Sequence, residues 1–257
     1  MRHTKHGGLG WLPDRPDQRD HMYAAPPSVL AALPTTVDLR RAFPAAYDQG
    51  NLGSCTANAI AAAVEYDWRQ QKLTDAVPSR LFIYYQERLL EGSVASDSGA
   101  YIRDGMKAIA KYGAPHEDLW PYDIAKFAKK PPAKAYADGL RRQAVSYARI
   151  TQALQQLQGC LAAGFPFVFG FAVYESFESD RVANTGMVPM PASHETDLGG
   201  HAVLCIGYRD SDRRFIVRNS WGDWGSSGNC FMPYEYLTSR GLASDFWKVT
   251  LMEMDPT

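Results

Sequence analysis

The run CTANAIAAAVEY, Cys55 to Tyr66, is too rich in alanine to be anything but helix, and it is apolar on most of its sides. A helix without a polar face has no place on a surface, so the rest of the chain must be built around it. Its first residue is a cysteine, reached through the loop QGNLGS. At a helix N-terminus the unpaired backbone N–H groups and the positive end of the helix dipole favour a thiolate. Alanine or valine would serve packing as well, so Cys55 is a candidate nucleophile. The plainer alternative is a buried, unreactive thiol, and a base elsewhere in the chain has to decide between them.

The chain of 257 residues is 46% hydrophobic and 12% aromatic, ample for a sizeable core. A net charge of -1 gives no basic footprint for nucleic acid or an acidic membrane. The longest strongly apolar runs, Ala59 to Val64 and Phe165 to Val173, fall short of the roughly 20 residues that cross a bilayer. The N-terminal sequence MRHTKHGGLGWLPDRPDQRD has no apolar run of the secretory kind, so a cytoplasmic location is the default expectation and the compartment stays open. Cysteines stand at 55, 160, 205 and 230 with no CxxC pair. With Cys55 a free nucleophile, the other three allow at most one disulfide, and reduced core cysteines are the plainer expectation. The spacing of His194, His201, Cys205 and Cys230 fits no common zinc site, so no metal and no cofactor is expected.

Residues 1 to 36 carry prolines at 13, 16, 26, 27 and 34 and no helical period, which predicts an extended segment that belts the protein or fills a groove, with Trp11 as its anchor. Helices are expected from Ser54 towards Lys72, from Ser79 to Glu91, and from Ile102 to Tyr112, the last ending at Gly113. After KKPPAK the texture changes. Val145 to Ile150 reads as a strand, Gln152 to Ala163 as an amphipathic helix, FPFVFGFAVY as a buried strand, and HAVLCIGY and RFIVRNS as two strands joined by a hairpin turn at RDSD.

That hairpin carries the base. His201 opens the first strand after two glycines, and Asn219 closes the second, so pairing brings them side by side. Asn219 can then accept one ring N–H and fix the tautomer while staying neutral. Trp221 would shield that hydrogen bond from water. Gln49, six residues before Cys55, offers a side-chain N–H that joins the Cys55 backbone N–H around a developing oxyanion. Gly53, Gly99 and Gly200 either permit turns or leave room for a peptide backbone in the cleft.

These residues together resemble the papain-like cysteine peptidases. QGNLGSC is similar to that family's oxyanion glutamine, loop and nucleophile, GGHAVLCIGY to its histidine strand, and RNSWG to its asparagine and tryptophan. DSGAYIRDGMKAIAKYGAPHEDLWPY resembles the glycine-containing substrate loop and the helix after it. GWLPDRPDQRD, SRLFIYYQER and MPYEYL resemble the bacterial branch. The likeness spans about residues 36 to 250, with departures: Leu52 stands where the family has a disulfide cysteine, serine and aspartate precede Gly99 in place of cysteine, and Thr56 replaces the usual aromatic residue. No long helical prodomain precedes the domain, which leaves only the short tail to act as a pro-segment.

The resemblance implies a two-lobed α+β fold. A helical lobe over 37–146 would carry Cys55, and a barrel-like antiparallel sheet lobe over 147–257 would carry His201 and Asn219, with the active site in the cleft between them. It implies a monomeric endopeptidase of the zymogen type acting on peptide or protein substrates through an acyl-enzyme thioester. The catalytic residues would be Cys55, His201, Asn219 and Gln49, with Gly53, Gly99, Gly200 and Trp221 lining the substrate site, and an apolar side chain is expected two residues before the cut. Two alternatives use the same residues differently: an acyltransferase or deamidase, whose histidine is more often oriented by aspartate, and a non-catalytic peptide-binding protein, against which the intact set of four argues.

Overall fold

A computed structural model describes residues 8–73 and 76–252. Helix α2 (Cys55–Gln70) is its axis, and every residue from Cys55 to Tyr66 is buried. What the alanines allow is close approach on all sides. Helices α3 (Arg80–Glu91) and α4 (Ile102–Tyr112) pack on α2, with Leu81, Ile83, Tyr84, Ile102, Met106 and Ile109 sharing one core with its alanines. Ser79 caps α3 by accepting the Phe82 N–H, and α4 stops where Gly113 takes φ +71°.

On its other side α2 meets a sheet of eight strands. The strands needed below are β1 (Trp11–Leu12), β2 (Met22–Tyr23), β3 (Thr36–Asp38), β4 (Ala100–Tyr101), β5 (Ala144–Ile150), β6 (Phe167–Tyr174), β7 (Asp197–Arg209), β8 (Arg214–Arg218), β9 (Asn229–Pro233) and β10 (Ala243–Met252). The large sheet runs β2-β5-β10-β6-β7-β8-β9, with β3 added to β7, while β1 and β4 form a small parallel pair apart from it. The path does not return on itself, so the expected barrel-like lobe is an open, mainly antiparallel sheet. The α+β class holds.

Period-two alternation explains why the sheet is buried on both faces. Val168, Ala202, Leu204 and Ile206 face the α2 core, whereas Phe167, Phe169, Phe171, Val203 and Cys205 belong to a second core on the far side. In that second core Phe169 stacks on Phe246 with ring centres 5.6 Å apart. Cys160, Cys205 and Cys230 are free and buried there, as packing residues. No helix among the described residues is long and apolar enough to cross a membrane.

The proline-rich start of the chain is extended apart from one helical turn, α1 (Pro27–Leu30). It is bound in three places: β1 beside β4, β2 beside β5, and β3 beside β7. Residues 1–7 lie outside the described residues. Phe169 is fully buried, so Phe169→Ala should lower unfolding free energy by about 3–5 kcal/mol. Urea denaturation with an unchanged slope would report it.

Candidate active site

Cys55 begins α2 with Ser54 as its N-cap residue, and the backbone of Ala202, the neighbour of His201 in β7, is close enough to favour its thiolate. The helix N-terminus is thereby seated on the strand that carries His201. His201 lies inside β7 rather than at its start, because the glycine-rich DLGG pairs with β6 (Gly199 with Val173, Gly200 with Ala172) and extends the strand backwards. Asn219 directly follows β8, and the β7–β8 register brings its Oδ1 to 2.8 Å from His201 Nε2.

The tautomer follows from a second bond. Asn219 Oδ1 also accepts the Ser220 backbone N–H at 2.8 Å, which identifies that atom as the oxygen and hence His201 Nε2 as the donor. The other ring nitrogen, Nδ1, is buried with no hydrogen-bond partner and carries the basic lone pair. Trp221 stacks on the imidazole at 4.8 Å and 27°, and Phe171 meets it edge-on at 5.7 Å. The aromatic shield expected of Trp221 is present.

Gln49 is held on both ends. Its Oε1 accepts from Ser220 Oγ at 2.6 Å, and its Nε2 donates to the carbonyls of Leu52 at 2.8 Å and Gly8 at 2.9 Å. Ser220 therefore orients the two neighbouring polar residues of the site, Asn219 through its N–H and Gln49 through its hydroxyl. It stands in the RNSWG motif but was not singled out by sequence reasoning, since a serine beside an asparagine carries no chemical signal of its own. Asp97 was also missed: its carboxylate accepts the Gly53 N–H at 3.2 Å and the Tyr84 hydroxyl, and so fixes the loop before Cys55.

The N-terminal segment lies across this site. The Gly8 N–H donates to Gly50 O at 3.2 Å, the Gly10 backbone comes close enough to the Cys55 thiol to favour its thiolate, and Gly10 O accepts from Ala100 N at 2.8 Å. All three glycines flagged in the sequence abut it. Gly53 O would be 2.0 Å from a Cβ on Gly10; a Cβ on Gly99, whose φ is +76°, would fall 2.1 Å from Gly10 O; and one on Gly200 would fall 2.5 Å from Trp11 O. The groove admits a backbone because these side chains are missing.

Beyond Trp11 the segment is held by charge. Asp20 bonds Arg103 through both carboxylate oxygens (2.9 and 2.6 Å), and Arg149 reaches Asp20 at 3.2 Å and Asp245 at 2.7 Å. Asp14 accepts from Trp247 Nε1 at 2.8 Å and from the Arg103 backbone at 3.1 Å, and its own N–H donates to Asp245. Burial, with the charge of Asp245 next, pushes Asp14 up to about 6.

Cys55 and His201 are fully buried beneath this cover. Burial pushes the thiol up to about 12 against partial relief from the backbone of Ala202 and Gly10, and pushes the imidazole down to about 4 against the help of Asn219. In the covered state both groups are neutral between those limits.

Comparison with known proteins agrees with this geometry. Residues 33–246 match the family described as papain family cysteine protease. The crystal structure of xylellain, a cysteine protease from Xylella fastidiosa, superposes with a TM-score of 0.90 at 44% identity, covering 98% of both chains. A protein of Acanthamoeba polyphaga mimivirus described as an uncharacterized peptidase C1-like protein is 44% identical over 265 residues, 93% of this chain and 85% of its own. Digestive procathepsin L 3 of Tenebrio molitor shares the fold with a TM-score of 0.69 at 20% identity, covering 96% of this chain and 76% of its own. The chain belongs to the papain family of cysteine proteases, and it is a cysteine peptidase.

Proposed function

We propose that the chain is an endopeptidase in which Cys55 is the nucleophile, His201 its general base and acid, Asn219 the residue that holds the imidazole, and Gln49 an oxyanion donor. We also propose that residues 1–36 act as its inhibitory pro-segment, with peptide or protein as the substrate of the uncovered enzyme. One observation supports all of this best: an extended peptide segment already lies over Cys55 with a carbonyl oxygen, that of Gly8, on the Gln49 amide.

In this mechanism the Cys55 thiol gives its proton to His201 Nδ1 once the segment withdraws and water reaches both groups. The thiolate attacks a peptide carbonyl, and the oxyanion takes the Gln49 Nε2 hydrogen that Gly8 now occupies, together with the Cys55 N–H. His201 returns its proton to the leaving nitrogen as the C–N bond breaks, leaving a thioester. Water, deprotonated by the same ring, then releases the acid. Asn219 stays neutral throughout and keeps Nε2 protonated.

The segment fits an inhibitor better than a substrate. Passing from Gly8 at Gln49 to Trp11, it runs parallel to Ala100–Tyr101. A substrate whose apolar residue precedes the cut by two positions would run the other way, from the Trp11 pocket towards Gln49. The segment also offers the sulfur the backbone of Gly10, where a substrate would present a carbonyl carbon. The glycines and the Trp11 anchor thus hold the groove without feeding it.

An active-site-directed epoxide should label Cys55, and Cys55→Ala should abolish hydrolysis of a fluorogenic peptide. A folded protein that is labelled at another residue, or that keeps its turnover without the thiol, would refute the assignment. Trp11→Ala in the full chain should raise turnover about tenfold or more, because a buried indole anchors the cover. Equal rates for the two proteins would remove the inhibitory reading.

A further inference from the structure

We propose that Tyr122 is a positioning residue for the oxyanion hole: its hydroxyl pins both ends of the loop 49–54 and so sets how far the Gln49 amide stands from the Cys55 N–H. This rests on the peptidase reading, in which those two groups receive the oxyanion, and names the residue that holds them in register.

Both donors come from the ends of one short loop. Gln49 opens it, Ser54 closes it, and Cys55 begins α2 directly after. Two of its residues are glycines, and Gly50 takes φ +56°, so the loop's own backbone does little to fix the distance between its ends. Asp97 holds it at Gly53 and Ser220 holds the Gln49 side chain, each at one point. Tyr122 Oη lies 2.9 Å from Gln49 O and 2.5 Å from Ser54 Oγ, so one atom meets the first residue and the last.

Valence fixes the direction of these bonds. Tyr122 has one hydroxyl proton, and the Gln49 carbonyl can only accept, so Tyr122 donates there. Ser54 Oγ must then donate to Tyr122 Oη. The same serine oxygen accepts from Asn58 Nδ2 at 3.0 Å, and that nitrogen also donates to Ser54 O at 2.9 Å, which identifies it as the amide nitrogen. The hydrogens therefore run one way, from Asn58 in α2 through Ser54 and Tyr122 to Gln49, and bonds in such a chain strengthen one another. The Ser54 side chain makes no capping bond to α2, so the serine serves this clamp rather than the helix end.

Tyr122 is itself held from outside the loop. The Arg80 guanidinium lies over its ring at 4.2 Å, pairs with Glu117 and donates to Asp48 O at 3.4 Å. Ser79 Oγ donates to Trp120 O at 2.6 Å, which ties the stretch carrying Tyr122 to the start of α3. The hydroxyl thus reaches the loop from a fixed side of the molecule.

The test uses the full chain carrying Trp11→Ala, assayed with a fluorogenic peptide. Adding Tyr122→Phe keeps a ring under Arg80 and removes the hydroxyl, and kcat should fall about tenfold with KM little changed. Alkylation of Cys55 by iodoacetamide, which forms no oxyanion, should keep its rate. Ser54→Ala, which cuts the same chain of bonds on its other side, should give the same split. With Gln49→Ala also present, Tyr122→Phe should cost about twofold or less, because the donor it positions is gone. An unchanged kcat, an alkylation rate that falls with kcat, or the same loss without Gln49 would overturn the inference. Amide hydrogen exchange over residues 49–55 of the full chain, read by mass spectrometry, tests the clamp apart from turnover. Faster exchange with Tyr122→Phe supports it and unchanged exchange overturns it, whereas a Trp11→Ala chain that cleaves no peptide tells against the peptidase reading alone.

Discussion

The site depends on one contact, the seating of the first turn of α2 on the middle of β7. Cys55 reaches the backbone of Ala202 because α2 has alanine where most helices have bulk, and because the sheet presents small and aliphatic residues to it. A larger residue along Ala57–Ala63 would lift the helix and carry the thiol away from β7. His201 is placed independently, by the register of β7 on β8 and the single bond from Asn219. Two buried elements thus hold Cys55 and His201, and neither depends on a loop for its position.

The cover meets the site through backbone glycines, a carbonyl on Gln49 and the buried Trp11 indole. Its pH dependence has two opposed parts. His201, pushed down to about 4 by burial from an ordinary 6.5, supports the covered state above 6.5 and loses that support as pH falls through 4. Asp14, pushed up to about 6 from 3.8, supports it below 3.8 and loses that support as pH rises through 6. Over the acid range these partly offset, and the ion pairs of Asp20 with Arg103 and Arg149 hold the segment in place.

Much of this was legible in the sequence because local chemistry dictated it. The alanine run required a buried helix, Ser79 and Gly113 marked helix ends, and the strand pair around RDSD brought His201 to Asn219. What escaped had no local signal. Asp245 looks like any polar residue near a strand end, and its hydrogen bond to the Trp11 indole forms only because β1 carries Trp11 across more than two hundred residues to meet it. The salt-linked group of Asp20, Arg103 and Arg149 likewise joins three distant parts of the chain. The open sheet in place of the expected barrel is a matter of which edges pair, and periodicity does not record that.

The central claim is that the chain's own N-terminal segment keeps a competent thiol and imidazole dry and neutral. The most direct measurement is the rate of Cys55 alkylation by a small electrophile against pH, in the intact chain and in the chain carrying Trp11→Ala. Alkylation of the intact chain should be slow through neutral pH, rising only towards strongly alkaline conditions, and fast from mildly acidic pH once the anchor is gone. Fast alkylation of the intact chain at acidic and neutral pH, unchanged by loss of Trp11, would contradict it.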